Sequence, residues 1–126
     1  MSQPTIAIVG ASADRSKYGN KAVRAYLKQG YQVYPVNPRG GQVEGLPVYT
    51  SIAEVPAERL ERVSMYVPPS VGLGLLTAIA AKGCDELWLN PGSESAELVE
   101  KAVDLGLNPI IACSIVDIGM HPDRME

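Results

Sequence analysis

The apolar positions of this chain switch between two spacings. Ile6-Ala7-Ile8-Val9 is a continuous, largely β-branched run that stops at Gly10, which predicts a buried strand. Ala22, Val23, Tyr26 and Leu27 then recur on one face of a helix that ends near Gly30. Tyr31–Val36 predicts a second strand, and Asn37-Pro38-Arg39-Gly40-Gly41 is a loop by composition. Leu46–Tyr49 reads as a short strand or an extended connection. Ser51-Ile52-Ala53-Glu54 has capping-box spacing, but Pro56 limits a helix there to about one turn. Val63–Val67 predicts a strand ended by Pro68-Pro69. Val71–Lys82 predicts a helix, with Leu75, Leu76 and Ile79 apolar. Glu86–Leu89 is the next strand. Ser95–Leu105 follows as a helix with Leu98, Val99, Ala102 and Val103 toward the core, and Pro109–Ala112 is the last strand.

Gly30, Gly83 and Gly106 each follow a helical pattern and precede a strand by a residue or two. Glycine suits the left-handed position after a helix, so these mark helix-to-strand joints. Alternating strands and helices imply right-handed crossovers and a parallel sheet. The expected fold is α/β: a Rossmann-like, doubly wound sheet of about five strands in a three-layer α/β/α arrangement. Residues 1–126 are expected to form a single domain, which buries roughly 65–70% of the unfolded surface. The polar stretch Gly119–Glu126 is expected to fray.

Composition narrows the function. Apolar residues make up 46% and charged residues 20%, ordinary for a globular protein. A net charge of −3 argues against wholesale nucleic-acid binding, so basic residues must act locally. No apolar stretch reaches the ~18 residues of a membrane span, and Met1-Ser2-Gln3-Pro4 has no signal-peptide character. Cys84 and Cys113 lie far apart without metal-ligand spacing. No nucleic acid, membrane or metal is therefore expected, and the simplest location is the cytoplasm.

The chemistry should sit in the loops at the carboxyl ends of the strands, where such sheets bind ligands. The first loop carries Gly10, Ala11, Ser12, Arg15, Lys17 and Gly19. A glycine at the strand end lets backbone approach a pyrophosphate, and the following helix N-terminus favours negative charge. The spacing departs from G-x-G-x-x-G, which points to a phosphate-rich ligand other than an ordinary dinucleotide. In the second loop an NAD site would place Asp or Glu; this chain has Asn37, Pro38 and Arg39. Arg39 can pair with a phosphate on the ribose, which leaves NADP and coenzyme A (CoA) in contention.

Gly10-Ala11-Ser12 with Gly19, Val36-Asn37-Pro38-Arg39, Gly45-Leu46-Pro47-Val48-Tyr49, Val67-Pro68-Pro69 and Leu87-Trp88-Leu89-Asn90-Pro91-Gly92 occur in this order. Together they resemble the small stand-alone CoA-binding proteins, which are similar to the N-terminal domain of the succinyl-CoA synthetase α subunit. The resemblance runs from about Pro4 to Val116. It implies CoA, or an acyl-CoA, held in an extended groove. Gly10, Ser12, Arg15, Lys17 and Gly19 would surround the phosphates, and Pro38 and Arg39 would flank the 3′-phosphate end of the adenosine. Val67, Pro68 and Pro69 would contact the nucleotide, with Asn90 nearer the pantetheine arm. Relatives often carry Gln at that last position, and the segment Ala57–Arg62 is more charged than usual, as an exposed connection would be.

Catalytic equipment is sparse. The related synthetases use a phosphohistidine in a second domain, whereas His121, the single histidine, lies in the polar tail. Glu94 and Glu97 suit a helix start. Asp14 suits loop ordering, and Tyr66 and Trp88 suit the core. Cys84 reads as structural. Cys113, at a strand end, is a buried thiol or one that exchanges with the CoA thiol. The expected function is a non-catalytic CoA carrier or sensor, compatible with a homodimer or a partner enzyme. The alternatives are an NADP-dependent reductase, a subunit of a larger acyl-CoA ligase, and a ligand-free interaction module.

Overall fold

The computed structural model describes residues 3–125. The chain runs β1 (Thr5–Val9), α1 (Tyr18–Lys28), β2 (Gln32–Val36), β3 (Gln42–Val43), β4 (Leu46–Pro47), β5 (Leu60–Met65), α2 (Pro69–Lys82), β6 (Cys84–Leu89), α3 (Ala96–Asp104), β7 (Pro109–Ile111) and α4 (Ser114–Asp117). Five strands pair in parallel in the order β2-β1-β5-β6-β7, and β3 and β4 form a separate antiparallel hairpin. The α/β, Rossmann-like expectation is met.

Successive side chains of a strand point to opposite faces, and here both faces are covered. Ile6 and Ile8 pack with Ala22, Val23 and Tyr26 of α1. Ala7 and Val9 join Leu76 and Ile79 of α2 and Leu98 and Ala102 of α3 in the other core. Double coverage explains why β1 reads as an unbroken apolar run. The apolar stripes of α1 and α3 are narrower than predicted. Leu27 is 39% and Val103 57% exposed, because each helix meets the sheet along one side only.

Other boundaries also move. β5 begins at Leu60 and ends at Met65, so Glu61 and Arg62 belong to the sheet rather than to an exposed connection. Arg62 is tolerated because Glu86 (3.1 Å) and Asp117 (2.8 Å) pair with it and its guanidinium lies over Trp88. β6 starts at Cys84 and α2 at Pro69, where proline fits the first helical turn. Ser51 precedes a single 3-10 turn, Ile52–Glu54, but makes no side-chain cap bond; Glu54 accepts from Thr50 instead. The segment after Gly119 turns back along α1. Met120 and Met125 pack on the α1-side core, and Lys21 Nζ donates to the Pro122 carbonyl at 3.1 Å. Glu126 lies outside the described residues. Among the described residues no helix is long and apolar enough to cross a membrane.

Cys84 yields a pH test. Burial pushes its thiol up from 9.0 to about 11. Between those values the unfolded chain has released the proton and the folded chain still holds it. Stability therefore falls as pH rises through that window. Cys84→Ala is expected to remove up to about 2 kcal/mol of that slope. Urea melts of both proteins from pH 8 to 11 measure it. Parallel profiles would show that Cys84 does not titrate differently on folding.

Candidate functional site

The strand order creates the site. The chain leaves β1 toward β2 on one side and returns to β5 on the other, so the loops at the carboxyl end of β1 diverge. A cleft of about 600 Å³ opens there, lined from four strand-end loops. The first loop contributes Gly10–Ser12 and Lys17–Gly19, and the second Asn37 and Arg39. The loop after β5 contributes Tyr66–Pro68, and that after β6 Pro91–Ser93.

Two glycines set the cleft floor. Gly10 has φ +90°, and a Cβ there would lie 2.6 Å from the Tyr66 carbonyl oxygen. A Cβ on Gly19 would lie 2.2 Å from the Gly10 carbonyl oxygen. The first turn of α1 thus sits directly on Gly10, and Gly10 on the β5 loop. The amides of Gly10 and Ala11 both donate to Val36 O, at 3.0 and 3.2 Å, so they join the loop to β2. Protein packing by itself therefore requires glycine at position 10. The amides of Tyr18 and Gly19 open α1 at the cleft and have no backbone acceptor among the described residues. They are the orphan donors of a helix N-terminus.

Short polar side chains hold the loops. Ser12 Oγ accepts from the Asp14 amide at 3.1 Å. Asp14 Oδ1 accepts from the Ser16 hydroxyl and amide at 2.7 and 3.0 Å, which holds the Asp14 carboxyl below its ordinary value. Asn37 ties the first two loops together, its Nδ2 donating to Ala11 O and its Oδ1 accepting from the Arg39 amide, both at 2.9 Å. Lys17 and Arg39 line the cleft, and neither forms an ion pair among the described residues.

The structure does not gather every candidate. Arg15 turns aside to Glu44, 2.8 Å away on the β3–β4 turn, and is absent from the lining. Pro69 is the first residue of α2 and also lies outside it. Asn90 is 1% exposed. Its Nδ2 donates to Ser64 Oγ and Met65 O, and its Oδ1 accepts from the Ser114 amide, so it links β5, β6 and α4 rather than facing the cleft. Pro38 lines an adjoining apolar recess of about 160 Å³ with Val9, Val36, Ile52, Val71, Leu75 and Ile79. Gly10, Asn37 and Val67 border both spaces.

Tyr18, Tyr66 and Ser93 line the cleft without having been singled out for it. Tyr66 falls one residue past β5, which turns it from a core tyrosine into a half-buried wall of the cleft. Burial pushes its phenol pKa up, so the hydroxyl stays protonated. Cys113 is half-buried, stands just before α4 with no side-chain capping bond, and is absent from the lining; His121 is exposed in the C-terminal segment. Among the described residues no group of His, Cys, Asp and Glu could hold a metal.

Known proteins share this architecture. A conserved hypothetical protein from Pyrococcus furiosus superposes with a TM-score of 0.82 at 35% identity, covering 90% of this chain and 98% of that one. The apo form of the dinucleotide-forming acetyl-coenzyme A synthetase 1 of Ca. Korarchaeum cryptofilum gives 0.72 at 28%, covering 84% of this chain and 25% of that one. The α subunit of ADP-forming acetate–CoA ligase II of P. furiosus is 43% identical over 54 residues, 42% of this chain. The α subunit of ligase I from the same organism is 32% identical over 85 residues, 63% of this chain. The chain spans only 12% and 18% of those subunits. The model of the CoA binding domain family matches residues 4–119, and the chain belongs to that family.

Proposed function

We propose that the cleft binds CoA, free or acylated, and that the isolated chain acts as a carrier or sensor rather than a catalyst. The carrying observation is the placement of Lys17 and Arg39, without ion-pair partners among the described residues, around a cleft floored by a helix N-terminus. About 600 Å³ suits a ligand of cofactor size. The pyrophosphate would lie against Ser12, Lys17 and the Tyr18 and Gly19 amides. The adenine would enter the apolar recess beside Pro38 and Ile52, with the 3′-phosphate at Arg39. The pantetheine arm would leave past Tyr66 and Pro91–Ser93.

Calorimetry tests this reading. CoA should bind with micromolar or better affinity, and NAD should not compete, because Asn37 and Arg39 stand where a ribose-binding carboxylate would. Tighter binding of NAD than of CoA would reverse the assignment. A second reading, a subunit of a larger acyl-CoA ligase, draws on the identity with the two ligase α subunits. The two readings differ in turnover. Mixed with acyl-CoA, ADP and phosphate, the purified chain alone should give no product, since no histidine or carboxylate lines the cleft among the described residues. Turnover only after adding a partner chain would favour the ligase reading.

A further inference from the structure

Ser114 is fully buried at the start of α4, and the function above makes no use of it. Its four hydrogen-bond neighbours come from three parts of the fold: β5 and its carboxyl end, the end of β6, and α1. Its Oγ lies 2.7 Å from Ser64 Oγ and 3.2 Å from the Tyr66 hydroxyl. Its amide donates to Asn90 Oδ1 at 2.9 Å, and its carbonyl accepts from the Tyr26 hydroxyl at 2.9 Å. Asn90 Nδ2 completes the circuit through Ser64 Oγ at 2.8 Å. Every buried side-chain polar atom among the described residues has a partner. A closed network of this kind fixes its members in one arrangement.

Two of those members define one wall of the cleft. Tyr66 is part of its lining, and the Tyr66 hydroxyl lies against Ser114 Oγ. Asn90 immediately precedes the lining segment Pro91–Ser93, and its carbonyl accepts from the Ser93 amide at 2.8 Å. The opposite wall, from the loops after β1 and β2, is held by Asn37, which makes no bond to Ser114. We propose that Ser114 is a positioning residue for the half of the ligand that lies beyond its phosphates. It sets Tyr66 and the Pro91–Ser93 turn, and so governs how well the pantetheine arm is held. The inference rests on the CoA reading.

The test compares CoA with adenosine 3′,5′-bisphosphate, which keeps the nucleotide and lacks the arm. Ser114→Ala should weaken CoA about tenfold, because binding must then order a wall that the wild type already holds in place, and change the bisphosphate less than about twofold. Tyr66→Phe keeps the ring and removes the hydroxyl that meets Ser114 and Ser64. It should weaken CoA about threefold, again sparing the bisphosphate, and it serves if Ser114→Ala does not fold. A general loss of structure would weaken both ligands alike. Equal losses, or no loss for CoA in either variant, would overturn the assignment of Ser114 while leaving the CoA reading intact. Wild-type protein that ignores CoA would overturn both.

Discussion

Replacing Gly19 by alanine is expected to destabilise the fold by about 3 kcal/mol or more. The backbone conformation is no obstacle, since Gly19 lies within α1. The obstacle is space: the new Cβ would lie 2.2 Å from the Gly10 oxygen and 3.1 Å from its carbon. The flexible end of a side chain could yield at that distance, but Gly10 is held. Its amide is bonded to Val36 O, and its own Cα faces the Tyr66 carbonyl. Either α1 lifts off the sheet or the first loop leaves β2, and both open the cleft. Gly30 is the control. It has φ +86° with nothing within 4 Å of an added Cβ, so Gly30→Ala should cost only about 1 kcal/mol of left-handed strain. Urea midpoints of the two variants decide the matter. Similar losses would mean that α1 can shift without penalty and that the close approach does not constrain it.

The same geometry bears on Gly10. Gly10→Val puts a side chain against the Tyr66 carbonyl as well as at positive φ, so its damage begins in the protein. Loss of ligand binding in that variant would not report on phosphate contact. Ser12 and Lys17 are the better probes of the first loop.

Much of this was legible in the chain, and the limits have a physical cause. The run Ile6–Val9 and the glycine that ends it are local signals, and the parallel sheet follows from connection rules. The four loops that meet at the cleft were readable because strand ends fix where they emerge. Partners distant in sequence were not readable. Arg15 carries a phosphate-binding signature by position, yet Glu44, twenty-nine residues on, takes its guanidinium. Asn90 looks like a ligand contact until Ser64 and Ser114 are folded around it. Arg62 reads as a surface residue because Glu86 and Asp117 are invisible from its own neighbourhood. In each case a polar side chain found a protein partner that local pattern cannot supply. Lys17 and Arg39 are the cations of these loops that form no ion pair among the described residues.

Arg39→Ala is therefore expected to weaken CoA by about 10- to 150-fold. That is one charge-assisted hydrogen bond of about 1.5–3 kcal/mol at about 1.4 kcal/mol per tenfold. The bond, on the reading above, is to the 3′-phosphate. Dephospho-CoA lacks that group, so its affinity should hardly change. Lys17 supplies the contrast. It stands beside the orphan amides of α1, where both ligands would place a pyrophosphate, so Lys17→Ala should weaken both by similar factors. Arg39→Lys should recover only part of the loss, because an ammonium cannot make the two-pronged contact of a guanidinium. The comparison is a cycle of proteins against ligands at one low salt concentration, since Lys17 and Arg39 are both exposed and salt screens them. Equal losses for CoA and dephospho-CoA in Arg39→Ala would move Arg39 to the pyrophosphate or to loop support through Asn37. No loss for either would leave Arg39 in solvent, and the preference for CoA over NAD would then have to come from Asn37 alone.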